Sequence, residues 1–156
     1  MRLRIIAIGR LRNGPEKDLI EDYIARFNRT GRPLGLGPVE FTELEDKKGR
    51  GKAAEGALLS KAIPAGAVVI ALDEYGASQA SPDFAQTLAR IRDQAPSELI
   101  FTIGGADGLA PEVLARADTK LSFGRMVWPH MLARVMLAEQ LYRAASILAG
   151  SPYHRV

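Results

Sequence analysis

The chain has 156 residues, 47% of them hydrophobic and 25% charged, with 21 Lys and Arg against 18 Asp and Glu and a formal net charge of +3. That length suits one domain with a real core and is too short to expect two, and the composition excludes a chain disordered throughout. With no Cys and two His, disulfides and thiol chemistry are excluded and no metal site is expected, so any cofactor should be organic.

Leu3 to Ile8 reads as a buried strand, with Arg2 and Arg4 at its start and Gly9 closing it. After the turn signal Asn13-Gly14-Pro15, the residues Leu19, Ile20, Tyr23, Ile24 and Phe27 follow helical spacing and offer one apolar face to a sheet. Thr30 to Pro38, broken by three glycines and two prolines, reads as loop. Alternation makes Val39 to Leu44 a second strand, and the Gly-rich basic segment Lys47 to Lys52 leads into an Ala-rich helix from about Ala53 to Ala62. Pro64-Ala65-Gly66 turns the chain into Ala67 to Leu72, an apolar run that suits an interior parallel strand. Ser81-Pro82 predicts a helix capped by Ser81, with Phe84, Leu88 and Ile91 as its apolar stripe. Glu98 to Ile103 is the next buried strand and ends in Gly104-Gly105-Ala106-Asp107-Gly108. Pro111 opens a short helix to about Ala117, Leu121 to Phe123 is a last short strand, and the loop Gly124 to Trp128 follows. Pro129 starts a long helix that reaches about Ala149 and stops at Gly150. Strands alternating with helices predict an α/β fold, one domain over residues 1–156 on a mostly parallel sheet flanked by helices.

The last helix is apolar nearly all round. Leu137, Leu141, Ala144 and Leu148 share one side, Met131, Val135, Ala138, Tyr142 and Ala145 a second, and Leu132, Met136 and Ile147 part of a third. A domain this small has little second layer to spare, so a homodimer is expected; a central helix in a three-layer monomer is the alternative. Arg134, Glu139 and Arg143 interrupt this stretch, which leaves no uncharged run long enough to span a membrane. Met1 to Ile8 mixes basic and apolar residues with no h-region and cleavage site after it, so a cytoplasmic location is expected. Basic residues cluster at Arg2, Arg4, Arg10 and Arg12, at Arg26, Arg29 and Arg32, and at Lys47 to Lys52. Any one cluster fits a solvated surface; three in the first third of the chain point to a polyanionic partner, RNA or DNA.

Three strand ends deliver Leu72-Asp73-Glu74-Tyr75-Gly76, Gly104 to Gly108 and Phe123 to Trp128, and in open parallel sheets ligands lie outside such ends. Ile103 stands where a dinucleotide fingerprint needs its first glycine, and no Gly-Lys-Ser/Thr marks a P-loop. A nucleoside-like ligand held by backbone amides remains compatible. Asp73 and Glu74 are adjacent and face opposite ways, so they form no carboxylate dyad, and no Gly-x-Ser-x-Gly elbow exists. His130 opens a helix, where its cation is disfavoured, and reads as a neutral, structurally bonded side chain. Tyr153, His154 and Arg155 bring a phenol, an imidazole and a fixed cation together within three residues, on a tail that could equally fray.

Together Leu72-Asp73, Phe101 to Leu109 (FTIGGADGL), Pro129-His130, Glu139 to Ala144 (EQLYRA) and Pro152-Tyr153-His154-Arg155 resemble the RlmH-type SPOUT methyltransferases, which methylate N3 of a pseudouridine in bacterial 23S ribosomal RNA. The similarity covers essentially the whole chain. It implies a homodimer with a C-terminal trefoil knot, acting on ribosomal RNA or the ribosome, with S-adenosylmethionine (SAM) as cofactor. By motif match, Leu72, Gly104, Phe123, Gly124, Arg125, Met126, Val127 and Trp128 are the SAM-contacting positions. Gly124 stands where the family often has Ser, Val127 where it often has Thr, and Val156 where an acid is common. Ser81-Pro82-Asp83-Phe84 replaces a more usual Ser-Ser-Glu-Phe.

The resemblance makes Tyr153, His154 and Arg155 the catalytic set. His154 is expected to accept the N3 proton, Arg155 or Arg125 to stabilise charge on the flanking carbonyl oxygens, and Tyr153 to stack on the base or close the site. The tail of one subunit would complete its partner's pocket. A non-catalytic RNA-binding module, or a SPOUT enzyme acting on another atom such as a ribose 2'-oxygen, are the competing expectations.

Overall fold

Every residue of the segment Glu98–Ile103 is buried, as an interior strand covered by helices on both faces demands. The computed structural model, which describes residues 1–155, bears this out. Strands β1 (Arg2–Ile8), β2 (Val39–Leu44), β3 (Val68–Ser78), β4 (Glu98–Ile103) and β5 (Thr119–Ser122) form one sheet in the order β2-β1-β4-β3-β5. All neighbouring pairs run parallel. Parallel neighbours need crossovers, which are supplied by α1 (Pro15–Gly31), α2 (Lys52–Ala62), α3 (Ser81–Asp93) and α4 (Pro111–Arg116); α5 (His130–Leu148) follows the last strand.

Alternation along β1 divides the core. Leu3, Ile5 and Ala7 join Phe27, Phe84, Leu88, Phe101, Leu137 and Leu141 on the face covered by α1, α3 and α5. Ile6 and Ile8 join Leu59, Ile63, Val69, Ile100 and Val113 under α2 and α4. Burying Phe101, Leu137 and Leu141 completely contributes roughly 1.5–3 kcal/mol each before entropy is counted. At the amino edge, Arg4 pairs with Glu98 across the β1–β4 ladder.

Several boundaries differ from expectation, each for a local reason. β3 runs on to Ser78 because a break in register between Leu72 and Ala77 lets it rejoin β5, so Asp73 to Gly76 form a bulge within a strand and not a loop. Gly76 permits that detour, since a Cβ there would lie 2.7 Å from the carbonyl carbon and oxygen of Lys120. α1 continues to Gly31 and passes into a 3-10 turn at Arg32–Leu34, inside the expected loop. β5 covers Thr119–Ser122, two residues earlier than expected, which leaves Phe123 to the following loop. Ser81 does not cap α3; Ala80 holds that position, and the Ser81 hydroxyl donates to Gln140 Oε1 on α5 at 2.8 Å.

α1 and α3 both pack on α5. They bury Val135, Leu137, Ala138, Leu141, Ala144 and Ala145 within one chain, which is the three-layer arrangement. The apolarity of α5 therefore does not by itself require a second subunit. Leu132 and, on α1, Leu19 remain exposed. No helix among the described residues is long and apolar enough to cross a membrane. Val156 lies outside the described residues.

Candidate active site

All strands point the same way, so the segments after β4 and β5 and the bulge in β3 emerge at one edge, where β4, β3 and β5 are adjacent. They enclose a cavity of about 260 Å³. Leu72, Asp73 and Glu74 line it from β3, Gly104 to Gly108 from the loop after β4, and Phe123, Gly124, Met126, Val127 and Trp128 from the loop after β5. The three segments singled out in the sequence thus meet in one place. Of the expected cofactor positions, Arg125 is the exception: it is exposed and does not line the cavity.

Two features of the cavity bear on a ligand. Met126 and Val127 are 74% and 80% exposed and Trp128 is 41% exposed, an apolar surface that a flat ring would cover. The charged side chains lining the cavity are Asp73, Glu74 and Asp107, which favours a cationic ligand. At Gly104 the loop folds tightly back on itself: an added Cβ would lie 2.4 Å from the Gly108 oxygen. Gly108 has φ of 77°, and its amide donates to Gly105 O at 3.1 Å, which closes the turn.

His130 reaches the cavity from the start of α5. Its Nδ1 is buried without a hydrogen-bond partner, so the expected structural bond is missing at that nitrogen. Burial, then the neighbouring Arg134 charge, hold its pKa below the ordinary imidazole value, and Glu55 opposes them. The neutral state expected from the sequence stands, with burial as its main cause. Arg134 is completely buried. Its Nη2 donates to Ile8 O at 2.6 Å and Gly9 O at 2.9 Å, tying the end of β1 to α5, while Nε and Nη1 have no partner. Burial lowers its pKa from the usual arginine value.

The C-terminal tail lies away from this cavity; none of Tyr153, His154 and Arg155 lines it. Glu139 organises the tail. Its Oε1 accepts from Arg143 Nε and Nη2 at 3.0 and 2.6 Å and from the Tyr153 hydroxyl at 3.0 Å, and its Oε2 accepts from Gln140. The Tyr153 ring packs on Tyr142 with centroids 4.5 Å apart and sits under the Arg143 guanidinium at 4.8 Å. Burial, reinforced by the Glu139 hydrogen bond, raises the Tyr153 pKa, so this phenol stays protonated. Arg143 Nη1 donates to His154 Nδ1 at 3.3 Å, because a guanidinium has no acceptor. That contact occupies Nδ1 of His154 as an acceptor. Arg155 is exposed.

Glu139 faces a second cavity, of about 540 Å³, between α1, α3 and α5. Leu121, Phe123 and Gly124 line both cavities and form the wall between them. Tail and ligand loop therefore stand on opposite sides of one wall in a single subunit. Glu139, Arg143 and Arg134 were not singled out as site residues from the sequence. The spacing of Glu139 and Arg143, one turn apart on a helix, signals an ion pair, and an arginine inside an apolar run signals a buried charge.

A family model described as "Predicted SPOUT methyltransferase" matches residues 1–154. The chain is 64% identical over 156 residues to the Ribosomal RNA large subunit methyltransferase H of Dinoroseobacter shibae and to that of Ruegeria pomeroyi, covering 100% of both chains in each case. Among solved structures, a probable methylase family protein from Haemophilus influenzae Rd KW20 shares the fold at a TM-score of 0.51 and 13% identity, over 99% of this chain and 70% of that one. On the full-length family match and the close curated relatives, this chain belongs to the SPOUT methyltransferase family.

Proposed function

We propose that the protein transfers a methyl group from SAM to N3 of a pseudouridine in large-subunit ribosomal RNA, as a homodimer in the cytoplasm. The observation that carries this is the full-length match, at 64% identity, to relatives named ribosomal RNA large subunit methyltransferases. The cavity after β3, β4 and β5 suits the cofactor: Asp73, Glu74 and Asp107 offset a sulfonium and an ammonium group, and the exposed Met126, Val127 and Trp128 cover an adenine ring. Backbone groups of the 104–108 and 123–128 loops supply the polar contacts to the base, so Gly124 and Val127 cost side-chain hydroxyls and leave backbone donors intact. A C-terminal trefoil knot belongs to this proposal; what supports it is the family and the position of β5 outside β3, with α5 returning across α1 and α3.

The bound cofactor supplies an electrophilic methyl group. The protein must orient the imide N3 in line with it and take up the N3 proton. Tyr153 cannot accept that proton, since its phenol is held protonated beside Glu139. His154 is the group that accepts it, and it does so at Nδ1 once docking of RNA draws Arg143 away from that nitrogen. Arg143 stays paired with Glu139, away from the imidazolium that forms. Arg155 faces solvent and stabilises the carbonyl oxygens that gain charge as N3 loses its proton. Because the tail lies across the wall from the cofactor cavity, the tail of one subunit completes the site of the other.

The decisive experiment incubates the protein with labelled SAM and ribosomes from cells lacking the modification, then maps the methylated nucleotide. A methyl group on pseudouridine N3 is expected. A methyl group on a ribose 2'-oxygen or any other atom would overturn the proposed position, and the absence of transfer would overturn the activity. His154→Ala should lower the single-turnover rate about 10²-fold or more with SAM affinity nearly intact; an unchanged rate would remove His154 from the base role.

A further inference from the structure

The charge of this protein is segregated along one edge of its sheet. Two segments, the loop 9–14 after β1 and residues 45–52, which comprise the loop after β2 and the first residue of α2, carry six Lys and Arg (Arg10, Arg12, Lys47, Lys48, Arg50 and Lys52) and two acids (Glu45 and Asp46), a net charge of +4. The whole chain is +3, so everything outside these segments sums to −1. β2 and β1 are adjacent at one side of the sheet, and the cofactor cavity occupies the same edge over β4, β3 and β5. That half is lined by Asp73, Glu74 and Asp107. At about 4.8 Å between strands, the end of β2 lies roughly 10 Å from that of β4, a distance a few nucleotides span.

In the other basic clusters three arginines are paired within the protein, whereas Arg29 and Arg32 are exposed, form no ion pair among the described residues and lie outside the two segments. Arg2 pairs with Glu40, Arg4 with Glu98 and Arg26 with Asp22. Among the described residues, Arg10, Arg12, Lys47, Lys48 and Lys52 form no ion pair, and all five are exposed. The loop after β2 is also held in shape. Asp46 accepts from the Arg50 amide at 2.6 Å and from its guanidinium at 3.1 and 3.2 Å, and the Gly49 amide donates to Asp46 O. Gly49 and Gly51 take φ of 60° and 93° with nothing within 4 Å of an added Cβ, so the loop projects into open space with Lys47 and Lys48 in the turn that Asp46 closes.

We infer that the segments 9–14 and 45–52 form the surface that binds the RNA phosphate backbone beside the target nucleotide, with the loop after β2 preordered by Asp46. The surface rests on the RNA methyltransferase function proposed above. A polyanion is drawn to the positive half of the edge and repelled by the acidic half, which leaves the cavity to the cationic cofactor and delivers a base to its rim. Ordering by Asp46 reduces the entropy lost when the lysines engage phosphates.

The test compares two charge-matched triple variants, Lys47→Ala/Lys48→Ala/Lys52→Ala and Arg29→Ala/Arg32→Ala/Lys61→Ala, for binding to purified ribosomes and for SAM affinity. The first should bind ribosomes about 10- to 100-fold more weakly, with a slope of log affinity against log salt shallower by about 2 to 3. Its SAM affinity should stay within about twofold, and the second variant should resemble wild type. Equal losses in both variants, or an unchanged slope in the first, would overturn the surface. A protein that binds ribosomes through these lysines yet transfers no methyl group would overturn the proposed activity and leave the surface standing.

Discussion

Two residues near the proposed cofactor cavity lend themselves to direct measurement. Gly104 sits where a Cβ would meet the Gly108 carbonyl at 2.4 Å, so Gly104→Ala must displace the loop that walls the cavity. The expected outcome is a loss of SAM affinity of at least about 10-fold, with thermal stability lowered by only a few degrees, measured by calorimetry on the folded variant. His130 makes a pH signature. Its folded pKa lies below the unfolded one, so its contribution to stability is complete above about pH 6.5 and is lost as pH falls from there towards the lowered value. Urea unfolding of wild type should therefore weaken between pH 7 and pH 5 more than that of His130→Gln; equal slopes would mean that the imidazole titrates normally. The sequence already suggested a neutral His130 from its place at a helix start. That Nδ1 lacks a hydrogen-bond partner among the described residues was not legible, because the groups near the ring, Gly9 and Arg134, are brought in from the end of β1 and the next turn of α5.

At the scale of elements, the strands and helices were read correctly in kind and order because each carries a clean period or a proline-glycine boundary. The failures fall where tertiary contacts overrule local signals. Ser81 looked like a cap but spends its hydroxyl on Gln140 of α5. Leu72 looked like a strand end, but pairing with β5 resumes at Ala77 across the bulge. The three cavity segments were legible because strand ends of a parallel sheet share an edge; the anchoring of the tail by Glu139 was not, since it depends on how the chain turns back after Gly150. Arg134 ties the end of β1 to α5. Arg134→Ala leaves the Ile8 and Gly9 carbonyls without this donor and opens a cavity, and should cost about 3 kcal/mol or more in denaturant unfolding. Tyr153→Phe removes one hydrogen bond to Glu139 and keeps the ring packing on Tyr142. It should leave global stability within about 1 kcal/mol while raising amide exchange in residues 151–155.

For the whole molecule, the separation of tail and cofactor cavity within one chain gives the proposed dimer a quantitative test. A 1:1 mixture of Gly104→Ala and His154→Ala subunits, assayed at a SAM concentration too low to fill the Gly104→Ala site, should recover about a quarter of wild-type activity, because half of the dimers are mixed and each mixed dimer holds one intact site. Activity no greater than the sum of the two variants would mean that each subunit uses its own tail. The strand order has a different consequence, for synthesis. β1 pairs with β4 in a register that matches Arg2 with Glu98, so the first strand finds its partner, the central strand of the sheet, only after some 95 further residues have been made. At the usual ~5–20 residues per second, the first strand waits roughly 5 to 20 s as a two-stranded stub with β2. Ile5, Ala7 and their neighbours must stay shielded by α1 until α3 is made late in that interval, and without α5, which makes a chain interrupted before Glu98 the form of this protein most prone to aggregate.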